Sequence, residues 1–179
     1  MQIIGIAGKA ENGKDTTALF LKQKLENLGK KVLIVHYADY LKTICKEWFG
    51  WNGNKDELGR ELLQKIGTNI VRNQDPYFWV ESIGRTLTMF PDYWDYVLIP
   101  DTRFLSEIFY WSKKEIPILV IRVNRIGFEN CLTEKQRSHS SETELDNYNF
   151  DYTINSQEGL DKLEFEVNNI INFLRVQED

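Results

Sequence analysis

The sequence has only two cysteines, Cys45 and Cys131, among its 179 residues. Two cysteines are too few for a disulfide scaffold, and this number is typical of proteins that work in a reducing compartment. The cysteines and histidines also lack the spacing of a metal-binding cage. We therefore interpret Cys45, Cys131 and His36 as packing residues rather than as nucleophiles or ligands.

Long hydrophobic runs and an excess of basic residues are also absent. The first apolar run, residues 3–7, is interrupted by glycine and followed by charges, so it predicts neither a signal peptide nor a membrane span. The 27 Asp and Glu residues outnumber the 22 Lys and Arg residues. This balance argues against binding to a nucleic-acid polymer, but it allows a small phosphorylated ligand in a local cationic pocket. We expect a cytoplasmic protein that contacts neither a membrane nor nucleic acid.

Linkers and internal repeats are missing as well. No segment is rich enough in proline, glycine or serine to form a linker, and no pattern recurs at a fixed period. With 42% hydrophobic and 13% aromatic residues, the chain can fill one ordinary core. We predict a single domain, residues 1–179, in which apolar strands alternate with amphipathic helices. The predicted strands are 2–7, 32–38, 96–100, 117–123 and 152–155, and the predicted helices are 14–28, 56–73, 76–90, 103–115 and 160–174.

This alternation predicts an α/β three-layer sandwich, in which a mostly five-stranded parallel sheet is covered by helices on both faces. Ligands of such sheets bind beyond the carboxyl ends of the strands. The loops after residues 7, 38, 100 and 123 are therefore the candidate functional loops.

The loop after the first strand carries a phosphate-binding motif. Residues 8–16 read GKAENGKDT, which matches the P-loop pattern G-x-x-x-x-G-K followed by Asp and Thr. Gly8 and Gly13 allow backbone N–H groups to surround phosphate oxygens, and the helix that begins near Lys14 adds the positive end of its dipole. Lys14 can then reach the β- and γ-phosphates of a nucleoside triphosphate. The position of the motif between a strand and a helix favours nucleotide binding over a chance match.

Two carboxylates are candidates for holding Mg²⁺. Asp15 stands where the P-loop pattern has a Ser or Thr hydroxyl, so the metal oxygen could come from Asp15 or from Thr16, unless the loop has lost nucleotide binding. Asp101 ends the strand at 96–100, a position suited to Mg²⁺ or its water shell, although it could instead cap the next helix. Arg103 follows two residues later and could clamp a phosphate group.

Polar side chains follow the second predicted strand and recur at four-residue steps along the next predicted helix. They form either a solvated stripe or a row of donors for an anionic second substrate. Gly67 interrupts this helix, which suggests that another group approaches it closely. The polar residues are Asp39, Lys42, Arg60, Gln64, Thr68 and Arg72.

Two further features have both a functional and a structural interpretation. Trp79 and Tyr77 could stack on a base, but most of the five tryptophans in a chain of this size belong to the core. The polar segment 124–146 carries Arg125 and Arg137. It is either a plain surface loop or a lid that closes over transferring phosphates, and the P-loop favours the lid.

Together these segments resemble the bacteriophage deoxynucleoside monophosphate kinases, a branch of the P-loop kinase superfamily. Asp15, a departure from the generic motif, looks like this branch's own form, whereas Tyr40 stands where proline is expected. The resemblance rests on GKAENGKDT (8–16), YADYLK (37–42), GRELLQKIGTNIVR (59–72), the segment 75–79, PDTRFLSE (100–107) and HSSE (139–142).

The resemblance implies a nucleoside monophosphate kinase-like fold and transfer of the ATP γ-phosphoryl group to a dNMP, with Mg²⁺, giving dNDP and ADP. It implies an acceptor-binding helical segment at about 39–90 and a lid-like segment at about 124–146. ATP would be held by Gly8, Lys9, Asn12, Gly13, Lys14, Asp15, Thr16, Thr17, Arg125 and Arg137, and Mg²⁺ by Asp15, Thr16 and Asp101. The dNMP would be bound by Asp39, Lys42, Arg60, Gln64, Thr68, Arg72, Trp79, Arg103, Glu107 and Glu142, with Lys14, Asp101 and Arg103 as the catalytic residues.

Other functions and states stay open at the level of sequence. The chain could be another small-molecule P-loop kinase that acts on a ribonucleotide or a coenzyme precursor, or a non-catalytic nucleotide-binding module. Kinases of this branch are often dimers, so a homodimer is one expectation for the oligomeric state. If the chain is encoded by a phage, the expected location is the host cytoplasm.

Overall fold

The computed structural model describes residues 1–156 and 160–176, and within the last helix it leaves out the side chains of residues 160, 161, 175 and 176. Its centre is a sheet of five parallel strands in the order β2-β3-β1-β4-β5. The prediction of a five-stranded parallel sheet is confirmed. The strands are β1 (Gln2–Ala7), β2 (Val32–Ile34), β3 (Tyr96–Ile99), β4 (Ile118–Arg125) and β5 (Tyr152–Ser156).

Helices cover both faces of this sheet. In chain order they are α1 (Lys14–Asn27), α2 (Ala38–Phe49), α3 (Glu57–Gln64), a π-helix (Lys65–Arg72), α4 (Phe78–Leu87), α5 (Leu105–Lys113), α6 (Glu134–Arg137), α7 (Ser140–Thr143) and α8 (Leu160–Val176). Among the described residues, no helix combines the length and the apolar character needed to span a bilayer.

The central strand β1 explains why both faces need a helical layer. Successive side chains of a strand point to opposite faces, and in β1 those on both faces are apolar. Ile4 and Ile6 pack with residues of α1 and α8, whereas Ile3 packs on the other face with residues of α2, α4 and α5. All three isoleucines are fully buried. The result is the predicted three-layer α/β sandwich, with the polar loops left at the ends of the strands.

The second predicted strand is wrong in its extent. Strand β2 ends at Ile34 instead of reaching Ala38, and helix α2, which the periodicity did not indicate although the resemblance implied a helical segment from about residue 39, begins at Ala38. The cause is Asp101, whose carboxylate accepts the backbone N–H groups of Tyr37 at 3.0 Å and Ala38 at 2.9 Å. These bonds satisfy N–H groups at the start of a helix that have no partner within it. A distant side chain therefore determines where this helix begins.

The helix predicted at 56–73 is present, but its second half is a π-helix. The backbone carbonyl of Gly67 accepts a hydrogen bond from the indole N–H of Trp79 at 2.8 Å. π-helical turns are rare and occur frequently at functional sites. Four residues make slightly more than one turn of an α-helix but slightly less than one turn of the wider π-helix. The rotation from Arg60 to Gln64 in α3 is therefore nearly cancelled by the rotation from Gln64 to Thr68 in the π-helix, and the three residues lie on nearly one face.

Gly67 makes the close approach that the sequence suggested. A Cβ atom at this position would lie 2.5 Å from Cδ2 of the buried Leu41. We expect Gly67→Ala to lower the free energy of unfolding by about 1–2 kcal/mol, because overpacking costs more than alanine gains in helix propensity. Urea unfolding monitored by circular dichroism measures this change. The exposed Lys65→Ala substitution at the start of the same helix is the matched control, and equal stability of the two variants would contradict the packing explanation.

Candidate active site

The loops at the carboxyl ends of the parallel strands form the candidate site, and the P-loop lies at its centre. Gly8 has φ 143° and Gly13 has φ 89°, values in the region that favours glycine. A Cβ atom on Gly8 would lie 2.4 Å from the carbonyl oxygen of Val123 in β4. The loop thus passes directly against β4, and its second glycine leads into α1.

Lys14 lies folded beneath this loop. Its side chain is almost completely buried, and Nζ donates to the Lys9 carbonyl at 2.8 Å. Burial, and to a lesser extent the nearby charge of Arg103, lower the pKa of the Lys14 ammonium to about 8. The two cations are therefore close together, which creates a position for a strongly anionic group.

Three other residues predicted to bind ATP support the loop from within the protein. The Asn12 side-chain amide donates to the Val123 carbonyl at 3.2 Å, and the Thr17 hydroxyl donates to the Gly13 carbonyl at 2.9 Å. Lys9 pairs with Asp146 at 2.6 Å instead of extending over the nucleotide site. These contacts shape the phosphate-binding loop, and direct contact of these side chains with ATP stays a prediction.

Glu142 connects the P-loop to Arg103. Its carboxylate accepts the backbone N–H of Ala10 at 2.9 Å and forms an ion pair with the Arg103 guanidinium. Arg103 also donates to the Ser141 carbonyl at 2.8 Å. Glu142 was predicted to bind the monophosphate, but the structure places it on the P-loop side, where it holds Arg103 next to Lys14.

His36 brings two predicted site residues together, and the interpretation of it as a packing residue is wrong. Its Nε2 atom lies 2.8 Å from the Asp15 carboxylate, and its Nδ1 atom lies 3.4 Å from the Asp39 carboxylate. Asp39 also pairs with Lys42 at 2.8 Å. The hydrogen bond between His36 and Asp15 raises the pKa of the imidazole and lowers the pKa of the carboxyl. The position of His36 just beyond a sheet strand, three residues before Asp39, was the available sequence signal.

The row of polar residues on α3 and the π-helix, the predicted acceptor helices, divides into two parts. Arg60 is engaged: it pairs with Glu11 of the P-loop at 2.8 Å and donates to the Lys55 carbonyl at 2.9 Å. Gln64 and Thr68 are half-buried, and their side chains make no hydrogen bond with the described part of the chain. The two side chains are thus available to a ligand.

Arg72 and Glu107, both predicted to bind the monophosphate, are occupied mainly by each other. They form an ion pair at 2.8 Å, and the Arg72 guanidinium also stacks on Phe104 at 3.7 Å. The Glu107 carboxylate further accepts the backbone N–H groups of Arg103 at 2.7 Å and Phe104 at 3.1 Å. Burial raises the pKa of the Glu107 carboxyl to about 7, although Arg72 and these N–H groups favour its ionised form. The Nε atom of Arg72 is the buried side-chain polar atom without a partner in the described residues.

Trp79 lies behind the site rather than in it. Its side chain is 2% exposed and packs edge-on against Tyr40 and Phe78, with ring centroids 6.1 and 4.9 Å away. Trp79 was predicted to bind the dNMP, but its burial makes it a core residue, which was the alternative interpretation of the sequence. Tyr40 and Phe78 are the exposed aromatic residues here, and Phe78 was missed because its sequence context resembles any apolar helix start.

The segment 124–146 forms two short helices that contact the acceptor helices. Lys135 pairs with Glu61 at 3.0 Å, and His139 Nε2 lies 3.2 Å from the Asn69 side-chain oxygen. Cys131, expected to be a packing residue, is exposed, with its thiol 3.3 Å from the Glu11 carboxylate.

The two arginines of this segment are engaged within it. Arg137 donates to the Asn130 carbonyl at 2.9 Å, and the Arg125 guanidinium stacks on Phe128 at 4.1 Å. Movement of the segment as a lid, and contact of these arginines with ATP, stay predictions.

Lys55 is a cation that the sequence analysis did not assign to the site. Its pKa is lowered by partial desolvation and by the neighbouring charge of Lys42. The charge of Asp15 raises this pKa and the charge of Arg103 lowers it, so Lys55 lies near both residues. It precedes α3, whose first turn is capped by the Asp56 carboxylate. This position places a further positive charge between the P-loop and the acceptor helices.

Comparison with known proteins identifies one family and one fold. The model of the deoxynucleotide monophosphate kinase family matches residues 30–167. The structure of the Mycobacterium tuberculosis APS kinase CysC in complex with AMPPNP and APS aligns with a TM-score of 0.57 and 11% identity, covering 97% of each chain. A mutant of the same APS kinase aligns with a TM-score of 0.52 and 11% identity, covering 96% of each chain. No curated protein matches the sequence.

Proposed function

Since this chain belongs to the deoxynucleotide monophosphate kinase family, we propose that its acceptor is a deoxynucleoside monophosphate. The chain is a P-loop nucleotide kinase and therefore an ATP-dependent phosphotransferase. In the proposed reaction an acceptor phosphate oxygen attacks the γ-phosphorus of ATP, the bond to the β–γ bridging oxygen breaks, and dNDP and ADP are formed.

The observation that carries this proposal is that the helical segment with Gln64 and Thr68 is tied to the P-loop, since Arg60 of α3 pairs with Glu11 of the P-loop at 2.8 Å. Lys14 and Arg103 lie together at the P-loop, and Gln64 and Thr68 present polar groups that have no partner among the described residues. The first set suits the transferring phosphoryl group, because phosphoryl transfer depends on positioning and on neutralisation of charge. The second set suits the polar groups of a nucleoside monophosphate.

A general base is not needed for this reaction. The second pKa of a phosphate monoester is near 6, so the attacking oxygen is already anionic at neutral pH. Lys14 would balance the charge on the β- and γ-phosphates, and Arg103, held in place by Glu142, would contact the transferring group or the acceptor phosphate. Asp101 would have a structural role besides the effect of its charge, since its carboxylate accepts the backbone N–H groups of Tyr37 and Ala38 and so fixes the start of α2.

The residues present fit a magnesium ion shared with the nucleotide phosphates. Mg²⁺ keeps several waters and takes one or two protein oxygens. The half-buried Thr16 hydroxyl has no hydrogen bond to the described residues, and one oxygen of Asp15 is likewise unused. The described residues contain no group of three metal-binding side chains, as expected for a metal held largely by substrate. Thr16, Asp101 and the unused oxygen of Asp15 would hold Mg²⁺, which would screen phosphate charge when bound.

A panel of acceptors tests the proposal. ADP release is measured with ATP, Mg²⁺ and each of the four common dNMPs, alongside the matching NMPs and nucleosides. We expect turnover with one or more dNMPs and little with NMPs. Turnover only with a ribonucleotide or a different metabolite would indicate another small-molecule kinase, and ATP binding without any ADP release would indicate a binding module.

The acceptor side can be tested separately through Gln64 and Thr68. We expect the double substitution Gln64→Ala, Thr68→Ala to raise KM for the dNMP about tenfold or more, because two hydrogen bonds to a charged or polar ligand are lost, while KM for ATP stays within about twofold. The exposed Lys65→Ala substitution in the same helical segment is the control. An equal rise in KM for both substrates would place these residues outside the acceptor site.

A further inference from the structure

His36 bridges the nucleotide-binding and acceptor-binding parts of the cleft. It follows β2, the edge strand of the sheet, which is separated from β1 and its P-loop by β3. One ring nitrogen faces Asp15 in the first turn of α1 at 2.8 Å, and the other faces Asp39 in the first turn of α2 at 3.4 Å. A single imidazole therefore connects α1, which follows the P-loop, to α2, the first helix of the predicted acceptor segment.

The contacts around His36 determine which residues move when Asp15 or the imidazole changes position. Asp101 holds the backbone N–H groups of Tyr37 and Ala38, directly after His36. The Asp15 side chain is 75% exposed, and within the described residues His36 is its hydrogen-bond partner. The direction of this carboxylate thus depends on His36. On the other side of His36, Asp39 forms an ion pair with Lys42, so the position of Lys42 is linked to that of the imidazole.

We propose that His36 is a positioning residue that couples the P-loop to the acceptor loop, so that a nucleotide bound at the P-loop orders residues 35–42. The inference rests on the proposed function only in assigning Asp39 and Lys42 to the acceptor. A bound triphosphate fixes the first turn of α1 and with it Asp15. Through His36 the same event fixes Asp39 and Lys42, and the two sites become energetically linked. The aspartate in the P-loop motif then has a role that a serine or threonine hydroxyl could not fill, since its carboxylate anchors the imidazole.

Hydrogen exchange of the full chain measures this coupling without any acceptor. AMPPNP with Mg²⁺ is added at saturation, and exchange is followed in peptides that cover the P-loop and residues 35–42. We expect AMPPNP to slow exchange of 35–42 by at least about fivefold in the parent protein and by less than about twofold in His36→Ala. The P-loop peptide should be protected equally in both. His36→Gln, which keeps a side-chain donor, should restore part of the response, and Arg85→Ala, which breaks an exposed pair with Glu81, should leave it unchanged.

Three outcomes would overturn the inference. The first is full protection of residues 35–42 in His36→Ala. The second is protection of the P-loop without protection of 35–42 in the parent protein. The third is loss of P-loop protection in His36→Ala at saturating AMPPNP, since His36 would then belong to the nucleotide site itself. Failure of the proposed function has a different signature, because it appears as the absence of turnover with every dNMP and leaves the exchange response as it is.

Discussion

Replacement of Lys14 by alanine is expected to lower kcat by at least about a thousandfold while leaving the fold intact. The Lys14 ammonium is buried beside Arg103, where its charge acts at close range on a transferring phosphoryl group, and single cations at such positions are worth factors of this size. Within the described residues the Lys14 ammonium donates a hydrogen bond to the Lys9 carbonyl and forms no ion pair, so its removal takes a desolvated charge out of the interior without breaking an ion pair.

The measurement is the steady-state rate of ADP release, accompanied by a circular dichroism spectrum and a thermal unfolding curve. Lys24→Ala on the same helix is the matched control, because Lys24 lies in the last turn of α1, at the opposite end from the P-loop, where it pairs with Glu164 of α8. We expect this control to keep the parent rate. Retained transfer by Lys14→Ala with a normal spectrum would remove Lys14 from the catalytic machinery.

Replacement of Glu107 by alanine is expected to lower the free energy of unfolding by about 3–5 kcal/mol, the range observed when one partner of a buried ion pair is removed. The substitution leaves the Arg72 guanidinium without its counter-charge and takes the acceptor from the backbone N–H groups of Arg103 and Phe104. Urea unfolding measures the loss. Glu81→Ala removes the exposed pair with Arg85 and should change stability by less than about 0.5 kcal/mol, so equal effects of the two substitutions would contradict the buried role of Glu107.

The stability should also depend on pH through Glu107. Its pKa is about 7 in the folded protein against a reference value of 4.5, so between these values the folded state binds the proton that the unfolded state has released. The stability that comes from the bound proton of Glu107 is therefore fully present below pH 4.5 and is lost as the pH rises to 7, whereas the pairing with Arg72 holds the ionised form above that value. Relative to Glu107→Gln, which stays neutral, the parent should lose about 3 kcal/mol across this interval. A constant difference between the two proteins over the same interval would show that Glu107 is ionised throughout.

The sheet was predictable because its strands are continuous apolar runs whose burial needs no information from elsewhere in the chain. β1, β3, β4 and β5 accordingly lie where the pattern indicated, within a few residues. The start of α2 was not predictable, since it depends on Asp101, which lies more than sixty residues further along the sequence. The same limit applies to the π-helix, which the Trp79 indole supports from another helix.

The candidate site divides in the same way. The positions of Lys14, Arg103 and Asp101 at the carboxyl edge of the sheet could be predicted from local motifs, because a P-loop and a strand-ending carboxylate define their own surroundings, whereas their catalytic roles stay predictions. Arg72 and Glu107 were assigned to substrate through the resemblance, but charged residues can also pair in the interior, and only the tertiary structure reveals that pairing. His36 was missed for the converse reason, since its two carboxylate partners are brought to it by separate elements.

The most direct test of the transfer reaction is the identification of its products. The protein is incubated with Mg²⁺, ATP labelled at the γ-phosphate and the dNMP that gives the fastest ADP release, and the nucleotides are separated by chromatography. ADP and labelled dNDP in equal amounts, with neither formed by Lys14→Ala, are expected. Label recovered as inorganic phosphate, or retained in ATP with every dNMP, would contradict phosphoryl transfer to a deoxynucleoside monophosphate.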